Sequence, residues 1–433
     1  MSILFTGAGI LTRENGRLSY LDDAFLSVEG NRIKYVGKKR PEGEYTVVKD
    51  MRGKLLMPGL VNDHTHTAMV LMRGLGSGKE LSRWLEAMWA IEDRMTAKEI
   101  RVGMELALLE MIRSGTTCFR DMYLIPTAVV DTIEKSGIRA VISRCITCFN
   151  NEQDYDTFEN ALGSKALFDE YDGAFDGRLH IDFAVHAEYT ANENIVRRYS
   201  EDCRKRGARM HIHLSETAKE QRECIGKYGK TPAEWFSSLG LFDNPTTAAH
   251  CVHLTQSDMD LLSEKGVSVV HNPTSNLKLG SGIAPVPDMA RKGINVSLGT
   301  DGAASNNNLD MFEEMHIASI LHNGVREDPT VMKPESVIDM ATVNGARSQG
   351  LSDTGALLES YKADIIALDL SSPHAVPLLD PVSQITYALS SSDVTMTMVD
   401  GRILYENGEY LTLDKERIYR EVEECVGCLY KRK

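Results

Sequence analysis

Short apolar segments alternate with longer amphipathic segments through the middle of the chain. We predict strands at residues 55–63, 116–122, 138–146, 180–187, 209–214, 246–252, 267–272 and 295–300. Helical periodicity lies between them, as in 81–113, 192–206 and 310–325. Eight strands alternating with helices over about 300 residues predict an α/β fold of the TIM type, a (β/α)8 barrel. An open, doubly wound sheet is the alternative, but no Gly-x-Gly-x-x-Gly opens a helix after a strand, as the dinucleotide-binding form requires.

Both ends of the chain carry a different pattern, with short alternating segments separated by glycine-containing turns. Val28-Glu29-Gly30-Asn31-Arg32-Ile33 near the start resembles Val399-Asp400-Gly401-Arg402-Ile403 near the end. Alternation of this kind between turn residues is typical of strands. We therefore predict that residues 1–54 and 363–433 form one small composite β-sandwich domain with a C-terminal helix, and that residues 55–362 form the barrel.

Composition excludes whole classes of protein. The 433 residues are 42% hydrophobic and 25% charged, the balance of a globular enzyme. No apolar run reaches the ~18 residues of a membrane span. The first residues lack a basic segment followed by an apolar one, so we expect a cytoplasmic protein. A net charge of −14 disfavours nucleic acid and anionic membranes as partners.

The cysteines predict no disulfide framework. All eight are scattered, and Cys425-x-x-Cys428 has no second pair, so we expect reduced thiols. The oligomeric state stays open, with a homo-oligomer as one option.

Histidines and acids collect at the C-terminal ends of the predicted strands, where a barrel carries its chemistry. The segment Pro58-Gly59-Leu60-Val61-Asn62-Asp63-His64-Thr65-His66 ends the first strand with two imidazoles on one face of an extended chain. The polar residues at the other strand ends are Arg144, His186, Glu188, His211, His213, Glu216, His250, His253, His271, Asn272 and Asp301. Buried polar groups without partners cost free energy, so a shared ligand explains this accumulation better than unrelated core histidines do.

We predict that four of these residues bind one divalent metal ion: His64, His66, His213 and Asp301. Catalytic zinc takes about three or four protein ligands and keeps a position for water. His213 is preferred to His211 because it lies nearer the strand end, and His211 is expected to pack behind the site. Some barrels of this type hold two metals bridged by a modified lysine from the fourth strand. Here no lysine occurs between Lys165 and Lys205, which argues for a single ion.

Proton transfer needs further residues. Glu216 lies three residues after His213 and can carry protons to and from a substrate. His250 can polarise the attacked atom or stabilise the hydroxide. Asp301 can accept a proton from water, whose pKa falls toward about 7 on a metal ion. The alternative for Glu216 is an ordinary acid at the start of a helix, where it favours the helix dipole.

These segments resemble the amidohydrolase superfamily. The similarity lies in 58–66, in His213-Leu214-Ser215-Glu216-Thr217, in His250-Cys251-Val252-His253 and in Ser297-Leu298-Gly299-Thr300-Asp301-Gly302. Residues 302–314 resemble the branch of 5′-methylthioadenosine/S-adenosylhomocysteine deaminases, near the triazine chlorohydrolases. The resemblance extends over nearly the whole chain. One departure is Arg347-Ser348-Gln349-Gly350, where relatives have a small apolar pair, and we interpret it as helix packing.

The resemblance implies hydrolytic deamination of an adenine ring with one zinc ion, iron being the other option. It implies Glu216 and His250 as the catalytic pair. The substrate contacts it implies are Glu92, Arg144, His186 and Glu216. Glu86 and Glu99 lie on the same helical segment and stay alternatives to Glu92. Since Arg144 suits a carboxylate or a sugar edge, 5′-methylthioadenosine, S-adenosylhomocysteine and adenosine are expected to be better substrates than AMP or free adenine.

Two other functions stay open. One is hydrolysis of an amino or chloro group on a different heterocycle: a triazine, guanine, cytosine or a pterin. Glu216 together with His250 favours proton-assisted loss of ammonia over loss of chloride. The other is a non-catalytic relative that keeps the barrel as a scaffold. Such a protein would be expected to lose ligands, and this chain keeps all four.

Overall fold

The computed structural model describes residues 2–124 and 126–431 and contains two sheets. In chain order the strands are β1 Ser2–Glu14, β2 Arg17–Glu29, β3 Arg32–Gly37, β4 Val47–Asp50, β5 Lys54–Pro58, β6 Leu60–Thr65, β7 Thr116–Tyr123, β8 Arg139–Ile146, β9 Leu179–Val185, β10 Met210–Leu214, β11 Thr246–His250, β12 Ser268–His271, β13 Val296–Leu298, β14 Ile365–Asp369, β15 Val394–Val399, β16 Arg402–Glu406 and β17 Glu409–Tyr410.

Helices follow most of the strands after β5. They are α1 Leu81–Glu92, α2 Ala97–Arg113, α3 Val130–Ser136, α4 Glu159–Tyr171, α5 Ala174–Gly177, α6 Glu193–Arg206, α7 Ala218–Tyr228, α8 Pro232–Ser238, α9 Gln256–Glu264, α10 Pro273–Lys278, α11 Val286–Arg291, α12 Met311–Arg326, α13 Pro334–Met340, α14 Val343–Ser348, α15 Pro381–Tyr387 and α16 Lys415–Leu429. Within the described residues, no helix is long and apolar enough to cross a membrane.

The central sheet holds β6 to β13, all parallel and in sequential order. The first and last strands of this sheet, β6 and β13, are also joined by hydrogen bonds at its C-terminal end. There Asn62 donates its side-chain amide to the Thr300 hydroxyl (2.7 Å), and the Asp301 amide donates to the His64 carbonyl (2.9 Å). The (β/α)8 barrel predicted from the sequence is confirmed, and its first and last strands are joined beside His64 and Asp301.

The first predicted barrel strand, 55–63, is two strands in the structure. Gly59 separates β5 from β6 and donates its amide to the Asp364 carbonyl (3.0 Å). A Cβ at Gly59 would lie 2.1 Å from Thr117, so the chain can turn here only without a side chain. Because β5 pairs with β1 and β14, it belongs to the sheet that both ends of the chain form, here called the terminal sheet. This sheet therefore extends four residues past the predicted division at residue 54.

The second sheet is built from both ends of the chain, as predicted. Its strand order is β17-β16-β15-β14-β5-β1-β2-β3, with β4 beside β1. β5 runs antiparallel to β14 and parallel to β1, so it joins the N-terminal strands to the C-terminal ones. A shared core includes Ile3, Phe5, Ile365 and Met398, all of which are buried.

The two segments that resemble each other in sequence form hairpin turns that touch. Gly30 lies between β2 and β3, and Gly401 lies between β15 and β16. Gly401 has φ +76°, and a Cβ there would lie 2.1 Å from the Gly30 carbonyl oxygen. Only glycine fits this contact, since it adopts positive φ without strain and has no side chain.

The C-terminal helix packs on the barrel and not on the terminal sheet alone. In α16, Arg417 donates to Glu105 of α2 (2.9 Å), and Glu421 accepts from Arg101 of α2 (2.6 Å). Beyond α16, the Tyr430 hydroxyl donates to the Leu71 carbonyl (2.9 Å). The C-terminal helix is therefore bound to α2, and Tyr430 is bound to the segment that directly follows β6.

Candidate active site

Three histidines and one aspartate converge at the C-terminal end of the barrel. His64 and His66 lie at the end of β6, His213 lies in β10, and Asp301 follows β13. Asp301 Oδ1 is 3.5 Å from His64 Nε2 and 3.3 Å from His66 Nε2. His66 Nε2 is 3.2 Å from His213 Nε2. The structure thus brings together the four residues predicted as metal ligands.

In His66 and His213 the second ring nitrogen, Nδ1, has a hydrogen-bond partner. His66 Nδ1 is 2.6 Å from the Met122 carbonyl oxygen, and His213 Nδ1 is 2.8 Å from the His186 carbonyl oxygen. These carbonyls can only accept, so they hold the proton on Nδ1 and leave the Nε2 lone pair directed at the centre.

His64 is held by a longer chain of contacts. Its Nδ1 lies 2.9 Å from His211 Nε2, and His211 Nδ1 lies 3.0 Å from the Thr247 carbonyl oxygen. His64 Nε2 is buried without a hydrogen-bond partner among the described residues. Burial lowers the pKa of His64 to about 3, so the ring is neutral and can donate a lone pair. A buried orphan nitrogen beside three other donors fits a metal ion, and His211 lies behind the centre as expected.

The backbone around the centre adopts rarely populated conformations. Non-glycine residues with positive φ occur at the ends of three barrel strands: Ser215 (47°), His250 (71°), Cys251 (51°) and Asp301 (62°). Such conformations cost free energy and cluster at functional sites. The carboxylate of Asp301 is fixed in this turn by the hydroxyls of Ser275 (2.6 Å) and Ser305 (2.7 Å), which donate to its Oδ2.

Glu216 and His250 lie side by side next to the centre. Glu216 Oε2 is 3.8 Å from His250 Nε2, and Glu216 Oε1 accepts from the Ser281 hydroxyl (3.1 Å). His250 Nδ1 is 2.8 Å from Asn276 Oδ1, which orients its ring. Burial raises the pKa of Glu216 to about 8. This carboxyl group therefore holds a proton at neutral pH that it can give to a substrate.

A cavity of about 250 Å³ opens onto these residues. Its inner end is formed by His66, His213, Glu216, His250 and Asp301. Pockets for small organic ligands typically have volumes of about 300–1,000 Å³, and this cavity lies just below that range. Aromatic rings form much of its wall. His186 lies 4.8 Å from the His213 ring, 6.1 Å from Trp89 and 5.9 Å from Tyr189, measured between ring centroids.

Comparison with known sequences places the chain in one family. The sequence model of the Amidohydrolase family matches residues 55–404. The chain belongs to the amidohydrolase family. Its similarity extends to a 5-methylthioadenosine/S-adenosylhomocysteine deaminase from Acetivibrio thermocellus, 42% identical over 98% of each chain. It is also similar to a 5′-deoxyadenosine deaminase from Methanosarcina mazei, 42% identical over 94% of this chain and 93% of that one.

Two solved structures have the same fold as this amidohydrolase. An adenosine deaminase from Xanthomonas campestris with bound zinc matches with a TM-score of 0.94 at 30% identity, over 99% of this chain and 98% of that one. An atrazine chlorohydrolase from Arthrobacter aurescens complexed with zinc matches with a TM-score of 0.91 at 24% identity, over 98% of this chain and 100% of that one. The second likeness shows the fold alone.

Among the three acids considered for substrate contact, Glu92 is the one that lines the cavity of this amidohydrolase. Glu86 is exposed on the outer side of α1. Glu99 caps the start of α2 by accepting from the Thr96 amide (2.9 Å). Burial raises the pKa of Glu92, and the neighbouring Tyr123 hydroxyl partly opposes this rise. His186 lines the cavity too, and its Nδ1 is buried without a partner in the described part of the chain.

Arg144 is not brought to the cavity. Side chains alternate across a strand, and Cys145 and Thr147 line the cavity. Arg144 and Ile146 therefore face the other side of β8, under α4. There Arg144 donates to the Asn160 side chain (2.9 Å). The carboxylate or sugar contact predicted for Arg144 does not fit this position.

Glu220, which is not among the residues predicted from the sequence, binds the backbone of Glu216. Glu220 accepts from the Glu216 amide (2.8 Å) and from the Thr217 hydroxyl (2.9 Å). In turn, the Thr217 hydroxyl accepts from the Glu220 amide (3.2 Å). The signal was present as Thr217-x-x-Glu220, the spacing of a capping box at the start of a helix. The loop that carries Glu216 is therefore anchored to α7.

A buried polar network beneath His64 was also missed. Asp63 accepts from Arg120 (2.9 Å), Ser297 (2.6 Å) and Gln349 (3.0 Å), and from the hydroxyl of Ser348. Arg120 Nε in turn lies 3.0 Å from Asp182. The sequence alone attributes the segment 347–350 to helix packing, whereas two of its side chains, Ser348 and Gln349, bind Asp63, the residue next to the candidate ligand His64. These residues hold the end of β6 in position.

Proposed function

We propose that this amidohydrolase removes the amino group from adenine nucleosides by hydrolysis, giving the inosine analogue and ammonia. The observation that supports this most directly is the position of Glu216, a carboxyl group whose pKa is raised to about 8. It lies at the inner end of an aromatic cavity, beside the adjacent side chains of His64, His66, His213 and Asp301. The names of the relatives, deaminases of adenosine derivatives, agree with this reaction.

The four clustered residues are proposed to hold one divalent ion, zinc in preference to iron. Nitrogen and carboxylate donors in this number suit catalytic zinc, and zinc is present in the related adenosine deaminase structure. The lysine-free stretch between Lys165 and Lys205 supports a single ion. A bound ion supplies Lewis acidity, which makes water nucleophilic near neutral pH.

The remaining steps concern the chain's own residues. Asp301 accepts a proton from the water that attacks C6 of the purine. Glu216 gives its proton to the adjacent ring nitrogen and later carries a proton to the departing amino group. His250, oriented by Asn276, stabilises the developing charge at C6. The C6–nitrogen bond breaks, a C6–oxygen bond has formed, and ammonia leaves with its electron pair.

Glu92 and His186 are proposed to contact the bound nucleoside. Both line the cavity, and both carry polar atoms that face it. With the purine amino edge directed at Glu216, the ribose lies toward the mouth. There a carboxylate and an imidazole are suitable hydrogen-bond partners for sugar hydroxyls.

The test is ammonia release from a panel of substrates by the zinc-loaded protein. The panel contains adenine nucleosides, AMP, adenine, guanine, cytosine, a pterin and an amino-triazine. Deamination of nucleosides is expected to exceed that of the other compounds. Guanine, a pterin or a triazine as the best substrate would leave the family membership intact and overturn the proposed reaction.

We also propose a cytoplasmic location, a small-molecule substrate as the partner, and a division into barrel and terminal sheet at Gly59 and near residue 363. Eight free cysteines, seven of them buried, support a reducing compartment. Fractionation of the source cells, with a cytoplasmic enzyme as reference, tests the location.

A further inference from the structure

The carboxyl group of Glu216 contacts residues 276–282, the end of α10 and the turn that follows it. The Ser281 hydroxyl donates to Glu216 Oε1 (3.1 Å). Ser281 is only 6% exposed, and its amide donates to the Asn276 carbonyl (2.9 Å). The Asn276 side chain in turn lies 2.8 Å from His250 Nδ1. One short segment therefore contacts both members of the proposed catalytic pair.

His253 joins this segment to the strand end that carries Glu216. Its backbone amide donates to the carbonyl of Ser215, the residue directly before Glu216 (2.9 Å). Its Nε2 lies 2.7 Å from the Ser281 carbonyl oxygen, which can only accept, so Nε2 carries the proton. His253 therefore links the backbone next to Glu216 with the residue that binds the Glu216 carboxyl group.

The turn after Ser281 fits closely against His253. Gly282 has φ +123°, and a Cβ there would lie 3.0 Å from Val252 Cγ1 and 3.5 Å from His253 Nε2. Because glycine has no side chain, the backbone of the turn can approach the imidazole and hydrogen-bond to it. The position of Ser281 therefore depends on the His253 ring.

His253 itself lies outside the cavity. It is half-buried and forms part of a separate shallow groove with Val252, Ile283 and Pro285. Among the residues that the structure describes, the cavity lining includes neither His253 nor Ser281. An effect of His253 on the reaction is therefore expected to pass through the groups that it holds.

We propose that His253 is a positioning residue, which fixes the Ser281 hydroxyl on the Glu216 carboxyl group and so sets the direction in which Glu216 faces the substrate. The inference rests on the role of Glu216 in the proposed function. A displaced catalytic group loses rate steeply, because proton transfer needs hydrogen-bond distance between donor and acceptor. Glu220 holds the backbone of Glu216, whereas His253 and Ser281 act on its side chain.

The first experiment measures kcat and KM of zinc-loaded variants with the best substrate of the panel. His253→Ala is expected to lower kcat by about tenfold and to change KM by less than about twofold, since the displaced group transfers a proton and the aromatic wall is untouched. His253→Gln is expected to recover most of kcat, because its side-chain amide can still donate to the Ser281 carbonyl.

His374→Ala is the control for loss of an imidazole. His374 lies on the surface and is also hydrogen-bonded, with Nε2 2.9 Å from Asp393 Oδ2, but it takes no part in the contacts around Glu216. Its replacement should leave kcat and KM unchanged. Zinc content and Tm of every variant show how much of it is folded and loaded.

A double-mutant cycle tests the route through Ser281. Ser281→Ala alone is expected to lower kcat by about tenfold. The double variant with His253→Ala should also lose about tenfold and not about a hundredfold, because both changes release the same hydroxyl. Ser281→Ala leaves the imidazole in place, so it tests the contact with Glu216 even where His253→Ala folds poorly.

The outcomes separate this inference from the proposed function. Unchanged kcat in His253→Ala, an equal loss in His253→Gln, or additive losses in the double variant would overturn the inference while deamination stands. A heterocycle other than an adenine nucleoside as the best substrate would overturn the proposed function, and the same loss and recovery of kcat with that compound would still support the inference. Absence of turnover with every compound of the panel would overturn both.

Discussion

Glu216 is the residue on which the proposed chemistry depends most directly. It is buried, it lies next to His250, and it belongs to neither of the two groups of three residues that could hold a metal ion, His64, His213 and His250 or His64, His66 and Asp301. Its two oxygens face a hydroxyl and an imidazole, and its backbone is held by Glu220. A carboxyl group in this position can move a proton without losing a metal contact. Substitutions here should therefore separate proton transfer from metal binding.

Glu216→Gln is expected to lower kcat by about 10²–10⁴, the usual worth of a positioned acid–base group. Glutamine has the same shape but cannot donate and accept the transferred proton. Zinc content, measured by mass spectrometry, should match the wild type, because the cluster is untouched. Near-normal turnover in this variant would remove Glu216 from the mechanism.

The pH dependence of the wild type has a predictable sign. Burial raises the pKa of Glu216 to about 8. The reaction needs the protonated form, which is present below this pKa and is lost as the pH rises through it. We therefore expect kcat/KM to fall above about pH 8. A profile measured from pH 6 to 10 checks this, and the Glu216→Gln profile should lack that descending limb.

Glu220→Ala should lower kcat by about tenfold to a hundredfold, the cost of a catalytic group misplaced by a fraction of an ångström or more. The carboxylate of Glu220 accepts from the Glu216 amide (2.8 Å), so removal of this carboxylate frees the loop that carries Glu216. KM should change less. Glu223→Ala is the control, since Glu223 is an exposed acid on the same helix that pairs only loosely with Lys219 (4.0 Å). Equal effects of the two changes would argue against a positioning role.

Residues differ in how far the sequence predicts them. His64, His66, His213 and Asp301 follow from strand ends and spacing, because a barrel places all strand ends together. The position of Arg144 does not follow from the sequence. Both faces of β8 are covered, and polar residues occur on each face, so the pattern does not tell which face points to the cavity. The partners of Asp63 lie more than 200 residues away in Ser297 and Ser348, and spacing along the chain carries no information about such contacts.

At the scale of elements, apolar periodicity predicts the central strands well. β7, β8 and β10 begin and end within a residue of their predicted bounds. The prediction of the first strand, 55–63, is wrong because this one apolar run contributes a strand to each of the two sheets. Only Gly59 divides it. The division depends on a steric contact with Thr117, which no pattern of hydrophobic positions reveals.

The touching hairpin turns give a prediction at this scale. Gly401→Ala should destabilise the protein, because alanine in the left-handed conformation costs about 1–2 kcal/mol and the contact with Gly30 adds about 1–3 kcal/mol. Gly16→Ala is the matched control: its φ is +80° against +76° at Gly401, and nothing lies within 4 Å of its Cβ. Thermal denaturation should show a larger fall in Tm for Gly401→Ala. Equal falls would show that the contact between the turns contributes nothing.

At the scale of the whole molecule, the terminal sheet and the C-terminal helix support the barrel from outside the site. β5 leads directly into β6, and α16 binds α2 through Glu105 and Arg101. Beneath the cavity, the buried network of Asp63 and Arg120 joins β6 to β7. The candidate ligands come from β6, β10 and the segment after β13, so they belong to parts of the chain far apart in sequence.

Removal of the metal should therefore act on stability as well as on activity. A ligand that binds only the folded state contributes about 4 kcal/mol at a thousand times its Kd. Protein treated with a chelator is expected to lose activity and to unfold at a lower temperature. One equivalent of zinc should restore both, and a requirement for two equivalents would overturn the single-ion proposal. In His66→Ala, which lacks one ligand beside the joined strands β6 and β13, zinc should raise Tm far less. An equal zinc-dependent gain in that variant would show that the ion binds elsewhere.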